Sequence, residues 1–106
     1  MFYIKQNDTG PSIQATLKDA DGIAVSLAGA TVSFKMRKQG SATPKVNAAA
    51  TIVNSTAGIV KYNWIAADTN TVGTYQAEFQ VTYSDLSVET FPNATYLKVK
   101  VIDDIA

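Results

Sequence analysis

A chain of 106 residues that contains neither cysteine nor histidine fits one domain and cannot build a thiol nucleophile, a zinc-thiolate site, a metal-histidine site or a histidine-based triad. Nine lysines and arginines balance nine aspartates and glutamates, so the overall charge offers no footprint for nucleic acid and no acidic tract for a basic partner. Met1 to Gln6 lacks the basic start and long apolar run of a secretion signal, and no stretch has the apolar length of a membrane helix; the expectation is a soluble protein made in a cytoplasm, with no membrane partner.

Phe2–Lys5 reads as a short strand, and Asn7-Asp8-Thr9-Gly10-Pro11 as a turn, because glycine permits positive φ and proline cannot donate to a ladder. In residues 12–18, Ile13, Ala15 and Leu17 alternate with Gln14, Thr16 and Lys18, the period of a half-buried strand. Asp19-Ala20-Asp21-Gly22 makes a tight turn, and the chain then passes through a helical turn near residues 26–29 into a strand over 31–37, with Val32, Phe34 and Met36 inward. Residues 38–44 have no periodicity and carry Gly40 and Pro44, so they form an exposed loop, the segment expected to be most mobile.

Residues 46–53 read as one strand, weakened by alanines, which a turn at 55–58 folds back as a hairpin onto residues 59–64, with Val60, Tyr62 and Trp64 on one face. A single helical turn over 65–69 precedes the most regular stretch of the chain, 71–83, where Tyr75, Ala77, Phe79, Val81 and Tyr83 point one way and Gln76, Glu78, Gln80 and Thr82 the other. Residues 84–87 turn the chain into 88–91, and Pro92-Asn93 interrupts before a last strand. There Thr95, Leu97, Val99 and Val101 alternate with Tyr96, Lys98 and Lys100. About eight short strands without an amphipathic helix make residues 1–106 a single all-β domain, a sandwich or a small barrel.

The residues that remain for chemistry are carboxylates: Asp8, Asp19, Asp21, Asp68, Glu78, Asp85, Glu89, Asp103 and Asp104. Most fall in turns, where aspartate accepts backbone N–H bonds, so no catalytic residue, cofactor or small-molecule substrate is assigned. The stretch from Asp19 to Gly22 resembles the front of a calcium loop. It lacks the third oxygen ligand, and Ala30 stands where the bidentate glutamate belongs, so no metal site is assigned either. Tyr62, Trp64 and Tyr96 are candidates for stacking a sugar ring, but the common parity of Tyr62 and Trp64 with Val60 assigns those two to the core. Tyr96 lies on the polar parity of its strand, where an aromatic suits a subunit contact. Asn7-Asp8-Thr9, Asn54-Ser55-Thr56 and Asn93-Ala94-Thr95 match the glycosylation pattern and are sufficiently explained as turn asparagines.

Gly73-Thr74-Tyr75-Gln76-Ala77 resembles the strand lead-in of an immunoglobulin-like sandwich, with alanine where a disulfide cysteine often stands. There the tyrosine sends its hydroxyl back to upstream backbone; the expectation here is that Tyr75 does so, with Asp68 at the same corner, and that Ala77 packs without a covalent staple. Together with Asp8-Thr9-Gly10-Pro11, Leu17-Lys18-Asp19-Ala20-Asp21-Gly22, Leu27-Ala28-Gly29-Ala30-Thr31-Val32-Ser33-Phe34, the continuation Glu78-Phe79 and Val88-Glu89-Thr90-Phe91-Pro92, this block is similar to the N-terminal domain of the baseplate upper protein of tailed bacteriophages. The resemblance runs in order over nearly the whole chain.

It implies an immunoglobulin-like antiparallel β-sandwich of about seven or eight strands. It further implies a non-enzymatic structural protein of the virion, made in the host bacterial cytoplasm, docking on other phage virion proteins and present in symmetric copies as a homo-oligomer. Baseplate upper proteins continue into a longer C-terminal part that carries receptor-binding subunits, whereas this sequence ends at Ala106; tail, baseplate and neck positions are the first expectation, with capsid decoration or a carbohydrate-binding, adhesive module as alternatives. A charge content of only 17% leaves sheet edges poorly guarded, as suits a domain that lives inside an assembly. Termini and long loops are what a small sandwich lends to neighbours, so the contact candidates are Phe2, Tyr3 and Ile4, then Gln39, Ser41 and Pro44, then Tyr96, Val101 and Ile105.

Overall fold

Period-two alternation becomes two packed sheets in the computed structural model, which describes residues 1–92 and 95–105. Among the described residues there are nine strands: β1 (Phe2–Lys5), β2 (Ile13–Thr16), β3 (Thr31–Lys38), β4 (Pro44–Ala49), β5 (Thr51–Asn54), β6 (Ile59–Tyr62), β7 (Gly73–Thr82), β8 (Val88–Phe91) and β9 (Leu97–Ile102). The larger sheet runs β1-β9-β7-β3-β4, with β8 also paired to β7, and the smaller runs β2-β6-β5. The fold is a β-sandwich.

Both sheets send their apolar parity into one core. Val32, Phe34 and Met36 of β3 face Tyr75, Ala77, Phe79 and Val81 of β7, all buried, and Val99 and Val101 of β9 extend the same layer. Phe34 sits at the centre: its ring stacks on Tyr62 of the smaller sheet at 4.6 Å and 12°, meets Trp64 edge-on at 5.5 Å and lies 5.1 Å from Phe79. Offset and edge-on aromatic pairs add about 0.5–1.5 kcal/mol each beyond the area they bury. Tyr62 and Trp64, 5% and 3% exposed, are therefore the bolt between the layers, and no sugar ring has access to their faces.

Four details differ from the sequence reading. Residues 46–53 do not make one strand: β4 pairs with β3 in the larger sheet and β5 with β6 in the smaller, and the chain changes layer at Ala50, whose N–H bonds the Val32 carbonyl. Small residues on either side of Ala50 let the backbone make that step, and only β5 forms the hairpin with β6. The turn near residues 26–29 is not helical; it closes with one bond from the Ala30 N–H to the Leu27 carbonyl, and Gly29 at φ 72 leaves the right-handed helical region. The sandwich is not wholly antiparallel, since β1 runs parallel to β9, with Tyr3 opposite Lys100 and Ile4 opposite Val101.

Finally, β8 and β9 lie end to end along one edge of β7. Phe91 pairs with Phe79 and Leu97 with Ala77, so Glu78 is the one residue of β7 between the two ladders. β8 ends at Phe91, just before Pro92; Asn93 and Ala94, and with them the rest of the expected interruption and the third glycosylation match, lie outside the described residues.

Candidate contact surface

The six-stranded sheet turns its second parity outward, and the register decides which side chains meet there. Lys35 stands opposite Glu78, Arg37 opposite Gln76, Gln76 opposite Lys98, and Thr74 opposite Lys100, which is itself opposite Tyr3. Arg37 is held on three sides by neutral groups: its Nε donates to Gln76 Oε1 at 3.1 Å, its Nη2 donates to the Tyr96 hydroxyl at 3.2 Å, and its guanidinium carbon lies 5.2 Å from the centre of the Tyr96 ring. A planar cation on an aromatic face is thereby fixed in place rather than left to sweep solvent. Beside it a shallow hollow of about 210 Å³ is lined by Lys35, Met36, Arg37, Ala42, Pro44, Gln76, Glu78 and Tyr96.

Neutral overall charge conceals a segregation. Seven of the nine cationic residues, Lys5, Lys35, Arg37, Lys38, Lys45, Lys98 and Lys100, stand on strands of the six-stranded sheet, where the carboxylates are Glu78 and Glu89; the other seven acids lie in turns and at the C-terminal end. Two of the turn acids serve the backbone of their own turns. Asp19 Oδ1 accepts the N–H groups of Asp21 and Ile23, and Asp85 Oδ1 accepts both the N–H and the hydroxyl of Ser87. Those two bonds from Ser87, the hydroxyl first, hold the Asp85 carboxyl below the usual range. Asp68 is buried and accepts the Tyr62 hydroxyl at 2.6 Å. Among the described residues no group of three or more Asp and Glu side chains is arranged to hold a metal ion.

The candidate contact residues divide. Ile4 and Val101 are 4% and 0% exposed: opposed across the β1–β9 ladder on its inward parity, they are core residues, and their side chains are withdrawn from any contact. Phe2 is half-buried against Trp64, ring centres 5.8 Å apart. Ser41 is half-buried, with its hydroxyl accepting the Thr43 N–H at 3.2 Å, whereas Gln39 and Pro44 are exposed. Tyr3, Tyr96 and Ile105 are exposed at 57%, 42% and 97%. Pro44 and Tyr96 come together with Arg37 at the hollow, and Tyr3 stands beside Lys100 farther along the outer face of the same sheet; Ile105 lies past the end of β9. The sequence reading missed Arg37, Lys98 and Lys100, although their outward parity was visible. It also missed Leu86, 80% exposed at φ 70, for which composition carries no signal.

The expected lead-in to β7 is present. The Tyr75 hydroxyl reaches back to donate to the Thr71 carbonyl at 2.6 Å, and Ala77 is buried. Asp68 does not take part in that bond; its partners are Tyr62 and the Ile65 N–H. With this corner, the two-layer core and the order of strands on the page, the comparison with known families is decisive: the family model of the BppU N-terminal domain, from the phage baseplate upper protein, matches residues 2–101. The chain belongs to that family. No curated protein matches it. Membership makes it a phage baseplate-related structural domain and fits a place in the virion among other virion proteins.

Proposed function

We propose that the chain is a non-enzymatic structural component of a tailed-bacteriophage virion, in the tail, baseplate or neck, made in the host cytoplasm and working through protein–protein contacts as one of several symmetric copies. The observation that carries this reading is the family match over residues 2–101. The character of the surface supports it: an arginine lying over the ring of an exposed tyrosine, on a face that also carries the exposed Tyr3, is the composition of a protein contact rather than of a solvated face. The burial of Tyr62 and Trp64 withdraws two of the three aromatics that a sugar-binding module could stack on, and the Arg37 guanidinium lies over the ring of the third, Tyr96. The test is mass spectrometry of gradient-purified virions of the phage that encodes the chain. The expected result is the protein in fixed proportion to the tail proteins, and virions that lack it would overturn the proposal.

A further inference from the structure

The hairpin between β7 and β8 carries a leucine where its backbone asks for glycine. The Leu86 N–H bonds the Tyr83 carbonyl and the Tyr83 N–H bonds the Ser87 carbonyl, each at 2.9 Å. This closure holds Leu86 at φ 70, in the left-handed region that side chains resist, with 80% of its surface exposed. Asp85 beside it is kept ionised by Ser87. Neither the turn nor solubility gains from leucine here, and strain of this kind points from the residue to a use.

A matching receptor lies elsewhere on the same chain. The hollow on the outer face of the larger sheet offers Ala42, Pro44 and the Tyr96 ring as apolar wall, with Lys35 and Arg37 against the single carboxylate Glu78 at its rim. Leu86 cannot reach it within one molecule. The hollow flanks Gln76 and the hairpin follows Thr82 at the far end of the same strand, roughly 20 Å away at the rise of a β-strand. The knob is acidic and apolar and the hollow basic and apolar, so the two surfaces are complementary in charge although they cannot meet within one chain.

We propose that Leu86 of one copy seats in the Tyr96–Pro44 hollow of the next, with Asp85 meeting Arg37 and Lys35. This rests on the structural role argued above and names the partner at that surface. The two halves of the contact are different patches, so the contact is heterologous. Each added copy leaves one free knob and one free hollow, which is how rings and filaments grow.

Sedimentation velocity of the full chain at rising concentration tests this. Self-association is expected and should weaken with added salt. Leu86→Gly should weaken it about tenfold or more, the loss of one central contact, while the melting temperature holds or rises because glycine suits the backbone. Arg37→Glu, or Tyr96→Ala if that variant folds poorly, should weaken it similarly. Mixed one to one, the knobless Leu86→Gly chain and the hollowless Arg37→Glu chain should form a pair and nothing larger.

A wild-type chain that stays monomeric throughout, a Leu86→Gly chain that associates like wild type, or a mixture that stays monomeric while wild type associates would each overturn the contact. A monomer that is nevertheless found in purified virions overturns this contact alone, leaves the structural role standing and transfers Leu86 to a different virion protein. Self-association of a protein absent from virions would do the reverse.

Discussion

The hydroxyl of Tyr62 donates to Oδ2 of Asp68 at 2.6 Å, and the same oxygen accepts the Ile65 N–H at 3.0 Å, so one buried carboxyl group ties the end of β6 to the 3-10 turn at Ala66–Asp68. Asp68 is only 6% exposed. Replacing Tyr62 by phenylalanine keeps the stack on Phe34 but leaves the Asp68 side chain short of a partner, and the loss expected is about 2–3 kcal/mol, the upper range for leaving a buried polar group unsatisfied. Urea unfolding of Tyr62→Phe measures it; a midpoint equal to wild type would refute the role given to the pair.

Two buried phenols, Tyr62 and Tyr75, and the half-buried Tyr83 also make stability depend on alkaline pH. Burial, then the hydrogen bond to Asp68 and its charge, raise the Tyr62 pKa well above its usual value; burial raises that of Tyr75; burial, then the bond to Glu89 and its charge, push Tyr83 up to about 12. In the unfolded chain a tyrosine ionises near pH 10. Below about pH 10 these phenols are protonated in both states and their stabilisation is complete. Above it the unfolded chain gives up protons that the folded chain keeps, so stability falls as pH rises, for Tyr83 until its own pKa near 12 is passed. Urea midpoints should stay level from about pH 7 to 9 and drop beyond about pH 10, with a shallower drop in Tyr62→Phe. Equal slopes in the two proteins would argue against the assignment.

Tyr75→Phe removes the bond to the Thr71 carbonyl and leaves the ring in place. Its acceptor is a neutral carbonyl at an exposed residue, which water can satisfy, so the cost should be about 1 kcal/mol, below that of Tyr62→Phe. Chemical denaturation of the two variants side by side gives the order, and a reversed order would mean that the lead-in to β7, rather than Asp68, is the stronger tie.

Gly58 and Gly22 separate crowding from backbone strain. Both have positive φ, 68° and 78°. A Cβ on Gly58 would lie 2.8 Å from the Leu17 carbonyl oxygen and 2.9 Å from that of Val25, whereas one on Gly22 meets nothing within 4 Å. Gly22→Ala should therefore lose about 1–2 kcal/mol from conformation alone, and Gly58→Ala about 2–5 kcal/mol once overpacking is added. Thermal melts of the two variants would show the difference; equal losses would mean that the backbone around Leu17 and Val25 yields freely.

Much of the sandwich was legible because burial in a strand repeats every second residue. The inward sets of β3, β7 and β9 were readable along the chain, and Phe34, Phe79 and Val99 are where alternation puts them. The same alternation puts Val101 on the inner face, and there parity outweighs nearness to the chain end. The change of layer at Ala50 could not be read, because an alanine-rich run is equally compatible with one strand or two.

From the residue order alone came the all-β class, the two-sided strands, the tyrosine lead-in at Tyr75 and the family, since each depends on neighbours a few positions apart or on blocks in succession. The tertiary structure decided that β1 runs parallel to β9, that β8 and β9 share one edge of β7, that the cations collect on one sheet and that Leu86 stands exposed in a left-handed turn. Those outcomes depend on which distant strands exchange hydrogen bonds, and partner choice is set by the packing of the whole chain, so a count of charges or a local pattern carries no trace of it.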